Sequence, residues 1–375
     1  CGGVDWSAPG AVVSVLALAL LNTTVVTGNG LVMAAIATSA RLRTTTHLFI
    51  GSLAAADLLV GLLVLPFSAS LQLTGSWLFG PAWCSIWLAT DVWCCTASIL
   101  NLCAISLDRF LAVTRPVSYP SLMSTRRARA LVAAVWFVAF IIALPPLMGQ
   151  RESGAGPADA LCPVTECRLI SERGYVVYSA VGSFFLPCFI MLFFYWRIYR
   201  AAASTTRSIN KGFKTIDHES WRSRASEERV TLRIHRGRGA ADCRLKIGVN
   251  KLNLKAHAKR FRVETKAAKT LAVLIGVFVL CWLPFFTLYL ARPFCERCFS
   301  DTVFTLCFWL GYCNSAINPA LYACFSQDFR TAFRRILGRM TCWAAAKQDS
   351  LVMVSFHAYC DDSAPSSQLV AGEPV

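Results

Sequence analysis

Seven apolar stretches constrain what this chain can fold into: roughly residues 11–38, 46–71, 82–107, 128–148, 175–196, 268–291 and 302–324. Each is about 20 residues or longer, the length a helix needs to cross the hydrocarbon core of a bilayer. In lipid every backbone amide must be satisfied within its own segment, so helices are the economical solution. The fold class expected is an all-α membrane protein, a seven-transmembrane helix bundle over residues 11–324. Composition agrees: 55% of residues are hydrophobic, 15% are charged and the mean hydropathy is +0.51, far from an average soluble domain. The first stretch lacks the basic start and small-residue cleavage site of a signal peptide, and it is too long for one. Residues 1–10, which start at Cys1 and not at Met, are expected to be an incomplete outer N-terminus.

Charge orients the bundle. If the link after the first stretch is cytoplasmic, all but five of the 37 Lys and Arg residues lie on that side. The exceptions are Arg151, Arg168, Arg173, Arg292 and Arg297. This asymmetry predicts an outer N-terminus and an inner C-terminus, as in a multi-pass plasma-membrane protein. The +16 net charge then reads as a cytoplasmic face meeting anionic lipid and protein partners, with no nucleic acid required. The polar span 200–265 reads as a third inner loop. Its ends, 197–210 and 255–269, extend helices five and six, and its middle is a mobile linker. Residues 325–375 read as a short amphipathic eighth helix, 326–337, and a cytoplasmic tail. No internal repeat is visible, which argues against transporters built from duplicated halves. No second buried acid–base pair supports an enzyme.

Asp91 lies one turn into an apolar run, 86–107, that otherwise carries no charge. A carboxylate at membrane depth costs a few kcal/mol or more and marks a functional site by default. Its natural partner is a cation, the segment supplies none, and a ligand could. The competing reading is a carboxylate that snorkels near a helix end or bonds within the bundle. Cys84, Cys162, Cys167, Cys295 and Cys298 fall in outer loops, where disulfides form. Cys295 and Cys298 read as a loop disulfide, since no second pair has zinc spacing, and no structural metal is expected. Cys103 and Cys281 sit in apolar helices and pack. Cys342 is a palmitoylation candidate, with an unmodified thiol as the alternative. The sequon Asn22-Thr23-Thr24 falls inside the first apolar stretch, out of reach of lumenal transferases.

An ordered set of marks follows. Gly28-Asn29 falls in helix one, Leu53-Ala54-Ala55-Ala56-Asp57 in helix two, and Asp108-Arg109-Phe110 ends helix three. Trp136 lies in helix four, Pro187 in helix five, Cys281-Trp282-Leu283-Pro284 in helix six and Asn318-Pro319-Ala320-Leu321-Tyr322 in helix seven. From about residue 11 to 340 the chain thereby resembles the class A (rhodopsin-like) G-protein-coupled receptors. Phe110 departs from the family's usual Tyr and lacks its hydroxyl. The resemblance implies a sodium-ion and water pocket at Asp57, Ser98, Asn314, Ser315 and Asn318, the ion being the only cofactor considered; a hydrogen-bonded packing cluster is the alternative. It implies an activation switch in which Glu264 reaches Arg109 beside Asp108, Ile99, Pro187 and Phe278 repack, and Tyr195 and Tyr322 take part. Pro284, which removes a backbone hydrogen bond, is a hinge in helix six. The resemblance also pairs Cys84 with Cys167, Cys162 being the weaker candidate.

Asp91 matches the carboxylate with which the aminergic members hold a protonated amine. At its level Tyr312 can hydrogen-bond the carboxylate, while Trp282, Phe285, Phe286, Phe308 and Trp309 offer aromatic faces that suit a cation and a ring. Val92 and Tyr289 belong to the same set. Ser179 and Ser183, four apart, share one side of helix five and suit phenolic hydroxyls. An opsin would carry its Schiff-base Lys at position 312. Further runs are similar to the arthropod alpha-adrenergic-like octopamine receptors. These are Trp87-Leu88-Ala89-Thr90-Asp91-Val92-Trp93, Ala112-Val113-Thr114-Arg115-Pro116 and Phe194-Tyr195-Trp196-Arg197-Ile198-Tyr199-Arg200. The basic run Thr231-Leu232-Arg233-Ile234-His235-Arg236-Gly237-Arg238-Gly239 and the helix-seven run Trp309-Leu310-Gly311-Tyr312-Cys313-Asn314-Ser315-Ala316 complete them. This closer resemblance implies octopamine as ligand, a Gq-class heterotrimeric G protein with calcium release, cAMP as a second output, and arrestin and receptor kinases as partners. Tyramine, dopamine or another adrenergic-type amine is the alternative, because the β-hydroxyl amounts to one hydrogen bond, about 0.5–1.5 kcal/mol.

Overall fold

The computed structural model describes the backbone of residues 9–145, 147, 167, 172–229, 270–295 and 298–348. It describes their side chains except at 9, 208–229 and 340–348. The described elements are α1 (Pro9–Thr38), α2 (Thr45–Thr74), α3 (Gly80–Thr114), α4 (Thr125–Ala143), α5 (173–229), α6 (Thr270–Phe294), α7 (Asp301–Phe325) and α8 (Gln327–Gln348). A one-turn helix, Tyr119–Leu122, lies in the α3–α4 link. There is no strand among the described residues.

By length and composition α1, α2, α3, the Arg173–Arg207 part of α5 and α6 can each cross a bilayer. The two remaining helices of the bundle are more polar for identifiable reasons. α4 opens on Arg126, Arg127 and Arg129, and α7 carries Asn314, Ser315 and Asn318. Both are nevertheless tied to neighbours. Trp93 Nε1 of α3 donates to the Trp136 carbonyl of α4 at 3.1 Å, and Asn29 Nδ2 of α1 donates to the Ser315 carbonyl of α7 at 3.0 Å.

Two helices contain a π-helical turn, Val60–Val64 in α2 and Val181–Phe185 in α5. Each turn is followed within two residues by a proline, Pro66 or Pro187, whose missing N–H leaves an upstream carbonyl to be satisfied otherwise. At the end of the α2 turn, apart from the carbonyl that Pro66 leaves unpaired, the Val64 carbonyl accepts from Trp87 Nε1 at 3.3 Å and from Ser68 Oγ at 3.0 Å. In α5 the π turn carries Ser183.

Three boundaries differ from the sequence expectation. α3 starts at Gly80, with φ of 78° and Pro81 in its first turn, two residues before the expected stretch 82–107, and runs on to Thr114. α5 stays helical to Arg229, past the end expected near residue 210, because 211–229 supplies eight helix-compatible Lys, Arg and Glu residues. α8 continues to Gln348 through Ala344, Ala345 and Ala346 and does not stop near 337.

Buried side chains form a column between the helices. Phe49 and Leu53 of α2, Ile99 and Leu102 of α3, Phe184 and Met191 of α5, Phe278 and Trp282 of α6 and Phe329 of α8 belong to one cluster. A second cluster near the outer end joins Val64, Trp77, Trp87 and Tyr312. Outward faces are apolar as well: Leu20, Phe137, Phe189, Leu280 and Leu306 are exposed, as expected for helices solvated by lipid. The polar groups lie inside, among them Asn29, Asp57, Asp91, Asn101 and Asp108.

Candidate functional site

A cavity opens between α3, α5, α6 and α7. Leu88, Asp91, Val92, Cys95, Thr96 and Ile99 line it from α3, and Tyr175, Ser179 and Ser183 line it from α5. Trp282, Phe285, Phe286 and Tyr289 of α6 and Phe308 of α7 complete the wall. Asp91 is 7% exposed and accepts one hydrogen bond, from the Cys95 thiol to Oδ1 at 3.3 Å. A thiol is a weak donor, and Asp91 forms no ion pair among the described residues. The Tyr312 hydroxyl is buried beside Asp91 and Ser68, close enough to interact with both.

Opposite Asp91, Thr96 Oγ1 donates to Ser183 Oγ at 2.9 Å. A hydroxyl that accepts in this way still has its proton to donate into the cavity. One turn nearer the mouth, the hydroxyls of Tyr175, Ser179 and Tyr289 lie close enough to interact. Rings fill the space between these polar ends. Phe184 and Phe286 stack at 4.6 Å, Phe285 stacks on Tyr289 at 5.7 Å, and Phe285 meets Phe308 at 5.5 Å. Trp282 reaches its place because position 311 is glycine: a Cβ there would lie 2.7 Å from the indole. Above the cavity, Cys84 at the top of α3 is bonded to Cys167, and Cys295 is bonded to Cys298 beyond α6. Cys162 lies outside the described residues.

Nine of the eleven expected ligand residues therefore line one cavity. Tyr312 stands behind Phe308, ring to ring at 4.8 Å. Trp309 turns toward α2, where its Nε1 is 3.5 Å from Gln72 Oε1. Tyr175, Thr96 and Cys95 were not anticipated. The signal for them was helical spacing: Tyr175 is four residues before Ser179, and Cys95 is four after Asp91.

Deeper in the bundle, Asp57 is fully buried. It accepts from Ser98 Oγ and Ser315 Oγ at 2.9 Å and from Asn318 Nδ2 at 2.8 Å. The Asn314 Oδ1 atom is buried with no partner. These oxygens would fit a hard cation; no cluster of His, Cys, Asp and Glu suited to a metal ion occurs among the described residues.

At the inner end of α3, Asp108 is fully buried. It accepts from Thr46 Oγ1 at 2.8 Å, from Tyr119 OH at 2.7 Å and from Arg109 Nη2 at 2.7 Å. Arg109 also donates to Thr46 Oγ1. Tyr119 was not foreseen from the sequence. Burial, followed by its bond to Asp108, pushes its phenol above the usual range, so it stays a donor. Phe110 stacks on Phe194 at 5.3 Å, with the Arg197 guanidinium 6.0 Å above its ring.

Between cavity and inner end, Ile99, Pro187 and Phe278 are buried and Tyr195 is half-buried, with Phe184 and Phe278 rings 5.7 Å apart. Pro284 lies within α6 and Tyr322 stacks on Phe329 at 5.5 Å. Glu264 and Lys266 lie outside the described residues, as does the Cys342 side chain.

Comparison with known proteins places this geometry among relatives. The family model described as "7 transmembrane receptor (rhodopsin family)" matches residues 28–322. The chain is 45% identical to "Probable G-protein coupled receptor No9" of Amphibalanus amphitrite, over 92% of this chain and 90% of that protein. It is 33% identical to "Octopamine receptor Oamb" of Drosophila melanogaster, over 90% of each. It is 42% identical to the human "Alpha-1D adrenergic receptor", over 98% of this chain and 64% of that protein.

Proposed function

The chain belongs to the rhodopsin family of seven-transmembrane receptors, and from that premise we propose that it binds a protonated phenolic amine, octopamine foremost, and signals through a Gq-class G protein to calcium. Membership makes it a multi-pass receptor of the plasma membrane and not an enzyme. The observation that carries the ligand class is Asp91: a buried carboxylate facing a cavity with no cation paired to it among the described residues. A buried charge without a counter-ion is costly, and an ammonium supplies the missing charge.

The rest of the cavity suits the rest of such a molecule. Phe285, Phe286 and Phe308 offer faces to an ammonium and an aromatic ring. Ser183, with its proton available, and Ser179 suit a phenolic hydroxyl at the far end. Names of relatives support octopamine. The human alpha-1D adrenergic relative favours a second reading, an adrenergic-type catecholamine. Tyramine and dopamine carry the same ammonium and phenol.

For output, an agonist that draws Ser179 and Ser183 toward Asp91 moves α5, and Ile99, Pro187 and Phe278 repack so that α6 swings about Pro284. The ligand does this only through higher affinity for the open state. With the N-terminus outside, opening frees the inner end of α3, where Arg109 meets Asp108, for a G-protein α subunit. Basic groups at Arg115, Arg197 and Lys266 border that cleft, and Glu264 serves as a latch on Arg109. Arrestin and receptor kinases act on the same inner face, cAMP is a second output, and a sodium ion at Asp57, Ser98, Asn314, Ser315 and Asn318 favours the closed state. Ranked concentration–response curves for octopamine, tyramine, dopamine and noradrenaline, read as calcium in cells with confirmed surface expression, test the reading. Octopamine is expected to be most potent. Silence to all four overturns it, and a catecholamine in first place replaces the ligand but keeps the site.

A further inference from the structure

α5 carries a basic and aromatic face that neither the cavity nor the Asp108 cluster uses. Its buried side holds Phe184, Met191 and Ile198. By helical periodicity Phe189, Phe193, Trp196, Arg200 and Arg207 fall on the opposite side, and all five are exposed. Between Arg173 and Arg197 the helix carries no charged side chain. At about 1.5 Å per residue that run is about 36 Å long, against a hydrocarbon core of about 30 Å. Arg197 and Arg200 therefore reach the headgroup layer, and Trp196 and Tyr199 are the exposed amphipathic rings expected at such a boundary.

Both guanidiniums are held over rings and not beside carboxylates. Arg200 lies 5.3 Å from the Trp196 ring centroid. Arg197 lies 5.9 Å from Phe193 on its own helix and 6.0 Å from Phe110 of α3. Neither is in an ion pair among the described residues, and residues 173–216 contain no Asp or Glu. Three residues apart, the two side chains are neighbours on the helix surface. A ring beneath a guanidinium leaves its N–H groups free to reach an acceptor, and their fork matches the oxygens of a phosphate.

We propose that Arg197 and Arg200, steadied by Phe110, Phe193 and Trp196, form a site for the headgroup of an anionic phospholipid. The phosphate accepts from the two guanidiniums, while an acyl chain lies along Phe193 and Phe189. The charge asymmetry of the sequence sets this end of α5 at the cytoplasmic leaflet, where the anionic lipids are. Because Arg197 also rests on Phe110, a bound headgroup braces the inner ends of α3 and α5. A G-protein α subunit competes for Arg197 at the border of the cleft. Arg200, however, lies on the side of α5 that faces away from the bundle, where lipid stands.

The test uses the full chain in phosphatidylcholine nanodiscs, with neither ligand nor G protein, so its failure is separate from failure of the amine reading. Both leaflets of a nanodisc carry the same lipids, so the outcome does not depend on orientation. Phosphatidylserine or phosphatidylcholine, brominated high on the acyl chain, is titrated in as a quencher. Trp196 is one of eleven tryptophans, so its quenching is the difference between each protein and its own Trp196→Phe variant. Wild type is expected to favour phosphatidylserine about tenfold or more. Arg200→Gln should lower that preference about fivefold, the effect of one basic residue at a charged surface. Arg207→Gln, about 10 Å further along the helix and a Debye length away, should lower it less than twofold. Equal quenching by the two lipids overturns the proposal. So does an equal loss in Arg200→Gln and Arg207→Gln, which would leave only the general attraction of a basic face. A preference that survives Arg200→Gln overturns it as well, and a fall in G-protein binding by that variant would then give the arginines to the protein partner.

Discussion

The outer and inner halves of the bundle treat buried carboxylates in opposite ways. In the inner half, Asp57 accepts three hydrogen bonds from hydroxyls and an amide, and Asp108 accepts from a threonine, a tyrosine and an arginine. In the outer half, Asp91 has the Cys95 thiol as a donor and the Tyr312 hydroxyl beside it, with no cation paired to it among the described residues. A buried carboxylate needs hydrogen bonds and a counter-charge. Asp108 has both met by the protein's own chain, and Asp57 has its hydrogen bonds met there. The outer one leaves its needs to whatever enters the cavity. Rigid networks hold a state; an unsatisfied group selects a partner.

The strongest way to break this comparison is Asp91→Asn, which keeps shape and removes charge. Loss of a hydrogen-bonded partner to a buried charge costs roughly 2–5 kcal/mol, so radioligand affinity for an amine should fall about thirtyfold or more. Affinity within threefold of wild type on surface-expressed protein would leave Asp91 no different from Asp57.

Tyr119→Phe probes the inner half. It deletes one donor to a fully buried carboxylate, worth about 1.5–3 kcal/mol. Basal nucleotide exchange on a G protein should rise, while amine affinity in the absence of G protein stays within twofold of wild type. A silent variant would mean that Thr46 and Arg109 satisfy Asp108 without help.

Gly311→Ala tests the seam between the halves. The added Cβ would sit 2.7 Å from the Trp282 indole, and a rigid ring cannot yield as a flexible chain end does. Overpacking of this kind costs about 1–3 kcal/mol. Thermal unfolding in detergent should begin several degrees lower, and an unchanged midpoint would show that Trp282 has room to retreat.

The smallest effect expected is Thr96→Val, which removes the hydrogen bond to Ser183 at 2.9 Å. A neutral bond is worth about 0.5–1.5 kcal/mol, so potency of a phenolic amine should fall up to about tenfold. Phenethylamine, which lacks the hydroxyl, should be unaffected. An equal loss for both ligands would assign Thr96 to helix packing and not to the polar end of the cavity.

Much of the molecule is legible in the chain itself. The spacing of apolar runs marks the helices because lipid leaves a backbone no alternative to bonding within its own segment. The lone charge at Asp91 is conspicuous for the same reason: nothing nearby in the sequence can neutralise it. Ser179 and Ser183 share a face by helical periodicity, and Cys295 and Cys298 are close by covalent connection. Each of these readings needs only local geometry and the cost of polarity in an apolar medium.

Other features depend on which helices meet. Trp309 and Phe308 are neighbours in sequence, yet one turns to Gln72 of α2 and the other lines the cavity. A helix presents residues one position apart to different neighbours, and periodicity does not say which neighbour stands where. The Thr96–Ser183 bond, the fit of Trp282 against Gly311 and the grip of Tyr119 on Asp108 join residues 87, 29 and 11 positions apart. The start of α3 was likewise decided by the turn at Gly80, two residues before its apolar stretch begins. Hydropathy and spacing determined the number of apolar crossings, their polar interior and the charge that wants a partner. Tertiary packing decided which carboxylates were satisfied within the chain and which one was left facing the cavity, because a hydrogen bond between helices exists only once their surfaces are in register.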